Sequence, residues 1–426
     1  MKILLVNQAF YPDVAATAQH LTDVAQRLVK EGHAVTVLTA ARGYDDPRRK
    51  FPARETWNRI EIIRVSAPRF SKRSRGSRWL DVAGHMAAFA VHLLFLPRFD
   101  VVVALTSPPL ISVLAAVISK LRGSRTVHWI MDLNPDEAVA AGWLRPGSVT
   151  TRVLERLLGY SLSTADVVVA LDRFMKQRIV AKGVTEAKVV VLPPWSHDDV
   201  TFHEEARRAF RRKHHLEGRF VVMYAGNHSP CHPLDTLLDT ARQLRTEPHI
   251  VFCFVGGGSL VADIRGFVDA HQLDNVRQLP YQPRNGLGGM LSAADLHVIT
   301  MGDGFVGIVH PCKIYNILRV GTPVLYIGPA ASHVVDMEAT MPAGLLRIAR
   351  HGDVRGVGEA ILSADSSFRA HRARQPAPRD ERHCSAVLLP QLVAHITSTA
   401  DVNRLRERDR RLDPSSADVR RFPNLT

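Results

Sequence analysis

Apolar residues in the first part of the chain fall into short runs separated by stretches of helical spacing. Residues 2–9 (KILLVNQA) read as a strand, and 16–30 place Leu21, Val24, Ala25 and Leu28 at the spacing of one helix face. Gly32 stands where a helix stop is expected, and 34–39 read as a strand again, completing a β-α-β unit. The alternation continues with strands at 59–65, 101–105, 126–131 and 166–170 and helices at 79–97 and 111–121. This order predicts an open parallel sheet with helices on both faces.

At 189–195 a strand ends in two prolines (VVVLPPW), and a polar, basic run with one short helix follows as far as His215. A second alternating series starts at Phe220: FVVMYAG, a helix at 234–244, HIVFCFVGGG, another helix, NVRQLP, LHVIT, a helix at 313–320 and PVLYIG. Two similar halves in tandem predict an α/β protein of two Rossmann-like domains, 1–195 and 196–370, with a cleft between them. A helix within 383–400 is expected to return to the N-terminal domain. The basic stretch 401–426 is too poor in apolar residues to pack and is expected to be disordered.

Composition narrows the picture. The 426 residues are long enough for more than one domain, and four scattered cysteines without a cleavable leader after MKILLV predict a cytoplasmic protein with reduced thiols. A formal net charge of +14 predicts affinity for anions. Nucleic acid is not the expected partner, because no recognition motif or interleaved aromatic pattern accompanies the charge. The one stretch apolar enough to suggest a membrane span, 79–97, carries Asp81, His85 and His92, which argues against spanning. The basic run at 69–78 precedes it, and the pair fits either peripheral docking on an anionic membrane or a solvated loop before a core helix.

Candidate chemistry lies in the second half. The first βα turn, NQAFYPDVAATAQHL, lacks the glycines of a dinucleotide fingerprint, which disfavours a nicotinamide enzyme. A helix starting near Cys312 aims free N–H groups and a positive dipole end outward, and Lys313 in its first turn adds a full charge, which together make a diphosphate site. Gly321 and Pro323 then close the helix and open the next strand. Gly256, Gly257 and Gly258 fit either a tight turn or a backbone cradle for a nucleotide. The segments HSPCH (228–232) and HPC (310–312) bring histidines and cysteines to two loops, but their spacing is not that of a zinc site, so no metal or other cofactor is expected.

Several segments resemble family-4 retaining glycosyltransferases of the GT-B type, in the branch that builds bacterial envelope polysaccharides of the colanic-acid or O-antigen kind. They are GHAVTVLT (32–39), HWIMDLNP (128–135), MYAGNHSPCHPLDTLL (223–238), FVGGGS (254–259), LPYQP (279–283), LSAADLHVIT (291–300) and HPCKIYNILRVGTPVLYIGP (310–329). The resemblance covers most of the chain to about residue 365. It implies acceptor-side positions at Ala15, Ala16, Asp132 and Pro135. It implies donor contacts at Gly226, Asn227, Gly256, Gly257, Tyr281, Gln282, Asp303, Cys312, Lys313, Ile314, Tyr315 and Asn316, and catalytic roles for Lys313, Asp132 and His310.

The chain also departs from the family pattern. Asn227 and His232 stand where a basic pair is usual, Asn316 replaces the second of two glutamates, and Ile308 stands eight residues before it. Asp303 is the expected substitute for the first glutamate. The resulting expectation is a hexosyltransferase at the inner face of the plasma membrane that takes a nucleotide diphosphate-sugar and a glycan or lipid-linked acceptor. The alternatives are a sugar-nucleotide epimerase on the same fold, a catalytically silent scaffold, and a protein that binds anions through its basic surface.

Overall fold

The computed structural model describes residues 1–13, 15–43, 48–66, 75–370 and 380–398, without the side chains of 75–82 and 370. The basic run 69–78 and the tail 401–426 singled out above therefore lie, for the most part or wholly, outside the described residues.

The chain forms two compact units that do not follow chain order. The first is Met1–Trp129 with Tyr160–Val168 and Gln391–Thr426, and the second is Ile130–Gly159 with Val169–Pro390.

The N-terminal series of strands is β1 (Lys2–Val6), β2 (Ala34–Ala40), β3 (Arg54–Trp57), β4 (Ile60–Val65), β5 (Val101–Ala104), β6 (Arg125–Trp129), β7 (Val167–Ala170) and β8 (Val189–Val191). Their order in the sheet is β3-β4-β2-β1-β5-β6-β7-β8. From β4 to β6 the pairing is parallel, as the β-α-β alternation predicts. The departure is β3, an antiparallel edge strand that the sequence pattern does not reveal. Its residues, RETW, are mostly polar and only half-covered, and it is joined to β4 by Asn58 and Arg59 at φ +48° and +63°, the left-handed pair of a tight hairpin. Leu4, Val6, Leu38, Ile63, Phe89, Leu93, Val102 and Ile111 form the core between this sheet and the helices Arg75–Phe95 and Ile111–Arg122. No helix among the described residues is long and apolar enough to cross a membrane. The C-terminal helix Ser385–Thr397 ends against Arg125, whose Nη1 donates to His395 O at 2.9 Å and Ile396 O at 2.7 Å.

The second sheet comprises β9 (Phe220–Asn227), β10 (Ile250–Gly257), β11 (Val276–Leu279), β12 (Leu296–Thr300), β13 (Val324–Ile327) and β14 (Leu346–Ala349), ordered β11-β10-β9-β12-β13-β14 and parallel throughout. The order reverses between β9 and β12, the switch point at which open α/β sheets leave a crevice beyond their strand ends. Phe220, Val222, Tyr224, Phe252, Phe254, Val298, Leu325 and Ile327 form its core, with Leu237, Leu238 and Ile361 from the covering helices.

The basic run before this sheet contains the helix Glu204–Lys213, with acidic residues in its first turn and basic ones in its last, matched to the helix dipole. It is tied to the sheet by Asp295, whose buried carboxylate accepts from Val221 N–H at 2.8 Å, from Arg207 at 3.1 Å and from Arg211. A charge removed from water is held only where such partners replace its hydration.

Candidate active site

The carboxyl ends of β9, β10 and β12 and the start of the helix Lys313–Val320 converge at the switch point of the second sheet. The helix is as the sequence predicts: Cys312 precedes it and Gly321 ends it in the left-handed conformation at φ +69°. Its apolar face, Ile314, Ile317, Leu318 and Val320, is buried, which fixes the direction in which its first turn points.

Lys313 is the centre of the arrangement. Its Nζ lies 4.0 Å from the centroid of the Tyr224 ring and is buried with no hydrogen-bond partner among the described residues. Burial lowers its pKa from the ordinary lysine value to about 7. The approach is made through Gly226: a Cβ there would stand 2.8 Å from Nζ, and the backbone is at φ +146°, where side chains are rarely accommodated. Gly256 pairs with Gly226 across the sheet, and its missing Cβ would fall 2.0 Å from Gly226 O. These glycines are therefore more than a turn. They let two backbones and an ammonium group close on one point.

The loop after β9 adds polar groups that sequence reading undervalued. His228 is buried and neither ring nitrogen has a hydrogen-bond partner among the described residues; burial, then the neighbouring Lys313, lower its pKa to about 4. Its backbone is fixed, N–H donating to Gly257 O at 2.7 Å and O accepting from Leu260 N–H at 3.1 Å. His232, which stands where a basic residue is usual, is neutral instead: Nδ1 donates to Thr300 O at 2.7 Å, and burial lowers its pKa to about 3. Asn227 O accepts from the Tyr224 hydroxyl at 2.6 Å. Tyr281 lays its ring edge against Gly257 and donates to Gly257 O at 3.3 Å, while remaining half exposed. Gln282 Nε2 donates to Pro280 O at 2.8 Å.

Other expected site residues are committed to the protein itself. His310 is fully buried, with Nδ1 2.8 Å from Asp172 Oδ2 and Nε2 2.7 Å from Tyr315 Oη, and the His333 ring stacks on it at 3.7 Å. Asp172 also caps the helix Arg173–Ala181 by accepting Met175 N–H at 2.7 Å. Burial raises the Asp172 pKa, but the His310 hydrogen bond and charge and the backbone bond more than offset this, leaving it below the usual value. The chain Asp172–His310–Tyr315 thus joins one helix start to another. Asp172, His310 and His333 also bring ligand-type atoms within 4.8 Å of one another, but both His310 nitrogens are already engaged.

Asn316 Oδ1 accepts from His197 N–H at 3.0 Å, the Ile314 side chain is in the core, and the Cys312 thiol, its pKa raised by burial to about 12, donates to His310 O at 3.1 Å. Asp303 is exposed in the short helical turn Asp303–Phe305.

Asp132 follows the end of β6 in a segment anchored by Leu133 N–H donating to Ile308 O at 2.9 Å. Burial, then the nearby Glu137, raise its pKa to about 7. Pro135, after a cis peptide bond, precedes the short helix Asp136–Ala140. Ala15 and Ala16 open the helix Ala16–Lys30 of the other unit, Ala16 exposed and Ala15 half-buried.

Comparison with known proteins gives a consistent result. Residues 16–195 match the Glycosyl transferase 4-like domain. WcaI of Escherichia coli (strain K12), named for colanic acid biosynthesis glycosyl transfer, is 24% identical over 366 residues, covering 80% of this chain and 87% of its own. Among solved structures, Anabaena HepE in complex with UDP-glucose superposes with a TM-score of 0.63 at 14% identity, covering 96% of this chain and 100% of that one. WaaG, a glycosyltransferase involved in lipopolysaccharide biosynthesis, superposes with a TM-score of 0.67 at 18% identity, covering 93% and 100%. Two parallel α/β sheets in this order give the chain the GT-B fold of these structures, and its residues 16–195 are similar to the Glycosyl transferase 4-like domain.

Proposed function

We propose that the protein transfers a hexosyl group, with retention at the anomeric carbon, from a nucleotide diphosphate-sugar to a lipid-linked or other membrane-proximal glycan in the assembly of a cell-envelope polysaccharide at the cytoplasmic face of the membrane. The observation that carries the reading is the buried, unpaired ammonium of Lys313 at the switch point, above Gly226 and at a helix start. Such a group is poorly solvated until an anion reaches it, and a diphosphate fits the charge, the positive dipole end of the helix and the bare backbone of Gly226 and Gly256. The similarity to WcaI and to a UDP-glucose-bound structure supports the substrate class.

In this mechanism the bond from the anomeric carbon to the diphosphate breaks first. Lys313 and the helix start hold the charge that develops on the departing oxygen. The acceptor hydroxyl attacks from the same face, its proton passing to that oxygen as the new glycosidic bond forms. Asp132 orients the acceptor hydroxyl, and the half-exposed Tyr281 ring, with Gln282 beside it, offers the base a stacking surface. His310 acts by holding the helix that carries Lys313 rather than by touching the sugar. The charge is supplied by the protein's own groups, so the reaction needs no metal. Incubation with labelled nucleotide-sugars and a lipid extract, followed by nuclear magnetic resonance of the product, tests this. A glycolipid with the donor's anomeric configuration is expected, and an inverted product or an epimerised free nucleotide-sugar overturns the reading.

A further inference from the structure

The segment that follows Asp132 carries an apolar face that the donor site does not use. From Leu133 the chain runs as hydrogen-bonded turns, Glu137 N–H donating to Leu133 O at 2.9 Å, Ala141 N–H to Glu137 O at 2.8 Å and Trp143 N–H to Ala138 O at 2.8 Å. Ser148 then caps the helix Val149–Thr164, its Oγ accepting Thr151 N–H at 3.2 Å, and Thr151 Oγ1 donates to Arg145 O at 2.8 Å. This braced frame holds Trp143 57%, Val149 77%, Val153 47% and Leu157 38% exposed.

The three aliphatic residues are spaced i, i+4, i+8 and form one stripe about 80° wide along the helix. A packed helix normally turns such a stripe inward, and a contiguous apolar surface facing water marks a contact. Arg156 and Arg152, both exposed, border one long edge of the stripe, about 20° and 60° beyond Val149. Arg145, also exposed, follows Trp143 by two residues in the chain. Glu155, the acidic residue of this helix, lies on the far side, about 160° from Val153.

We propose that this face docks the protein on an anionic phospholipid surface, with Trp143 and the Val149, Val153, Leu157 stripe entering the headgroup boundary and the three arginines meeting lipid phosphates. An aromatic anchor, an apolar stripe and a basic border are the three elements of an interfacial helix. A second copy of the chain fits less well, because an isologous contact sets the arginine-bordered stripe against itself with no acidic partner on the face. The proposal deepens the functional reading, on which it rests for its purpose: it brings the membrane to within one short helix of Asp132 along the chain, where a lipid-borne acceptor is to be received.

The test is co-sedimentation of the full chain with phosphatidylcholine vesicles, with and without phosphatidylglycerol, for wild type, V149S/V153S/L157S and R152S/R156S, with nucleotide diphosphate affinity measured on the same preparations. Wild type is expected to partition onto the anionic vesicles. The triple variant is expected to bind them at least about tenfold more weakly, and the arginine variant to lose the preference for anionic over neutral lipid. Nucleotide affinity is expected to be unchanged in both, which also reports that the variants are folded. Equal vesicle binding by wild type and the triple variant, or none by wild type, overturns the docking face. A lipid-independent dimer that the triple variant abolishes assigns the face to a second copy and overturns it as well. Vesicle binding without any nucleotide binding by wild type instead removes the donor-site reading and leaves the docking face standing.

Discussion

The Lys313 ammonium stands 4.0 Å from the centre of the Tyr224 ring, with no hydrogen-bond partner among the described residues and its pKa lowered by burial to about 7. The π face of Tyr224 offers it some compensation, but less than water or a counter-charge does. A bound diphosphate restores the charged form, so binding near and above neutrality takes up a proton. The sign follows: affinity for a nucleotide diphosphate-sugar is level below about pH 7 and falls as pH rises through and beyond it, by up to about tenfold per unit. Calorimetry in buffers of different ionisation enthalpy should register the uptake, and a pH-independent affinity would contradict it.

The two strand-end glycines should be intolerant of the smallest change. Alanine at Gly226 collides with Lys313 Nζ and sits at φ +146°, and alanine at Gly256 drives into Gly226 O. Gly226→Ala is expected to cost about 1–3 kcal/mol of stability and to weaken nucleotide binding, because the lysine tip must move. Gly256→Ala meets unyielding backbone and is expected to cost more. Urea unfolding of both variants checks the order, which fails if Gly256→Ala is the milder.

His310 should behave as a buried strut. Tyr315→Phe removes one of its two bonds and should cost about 1–3 kcal/mol, whereas His310→Ala also strips the buried Asp172 carboxylate of its ring partner and should cost about 3–5 kcal/mol. Thermal unfolding reads the ranking. A His310→Ala protein as stable as wild type yet inactive would point to direct chemistry at His310.

The strands and helices that position the donor site were legible in the sequence because each is a short apolar run or an amphipathic stretch bounded by glycine or proline. The strands β3 and β14 were not: the edge strand RETW is half polar, and LRIA carries Arg347 at its centre. At the site, Lys313, Gly226 and Gly256 could be read from local chemistry, since a helix start and bare strand ends announce themselves. His228 and Asp172 could not be read in the same way. His228 matters because both its ring nitrogens are buried without partners among the described residues, and Asp172 because it meets a residue 138 positions away. An aspartate ahead of RFMKQRIVA predicts the cap that Asp172 forms, but not its bond to His310.

The account stands on Lys313 as the group that holds the departing diphosphate. Parallel measurement of turnover and nucleotide diphosphate affinity for wild type, Lys313→Ala and Lys313→Arg tests it most directly. Lys313→Ala is expected to remain folded and to lose about 10²-fold or more in turnover, about 3 kcal/mol of charge stabilisation, with weaker nucleotide binding. Lys313→Arg should recover little, because a planar fork does not fit a point-charge position above Gly226. Turnover and affinity in Lys313→Ala equal to those of wild type would contradict the assignment.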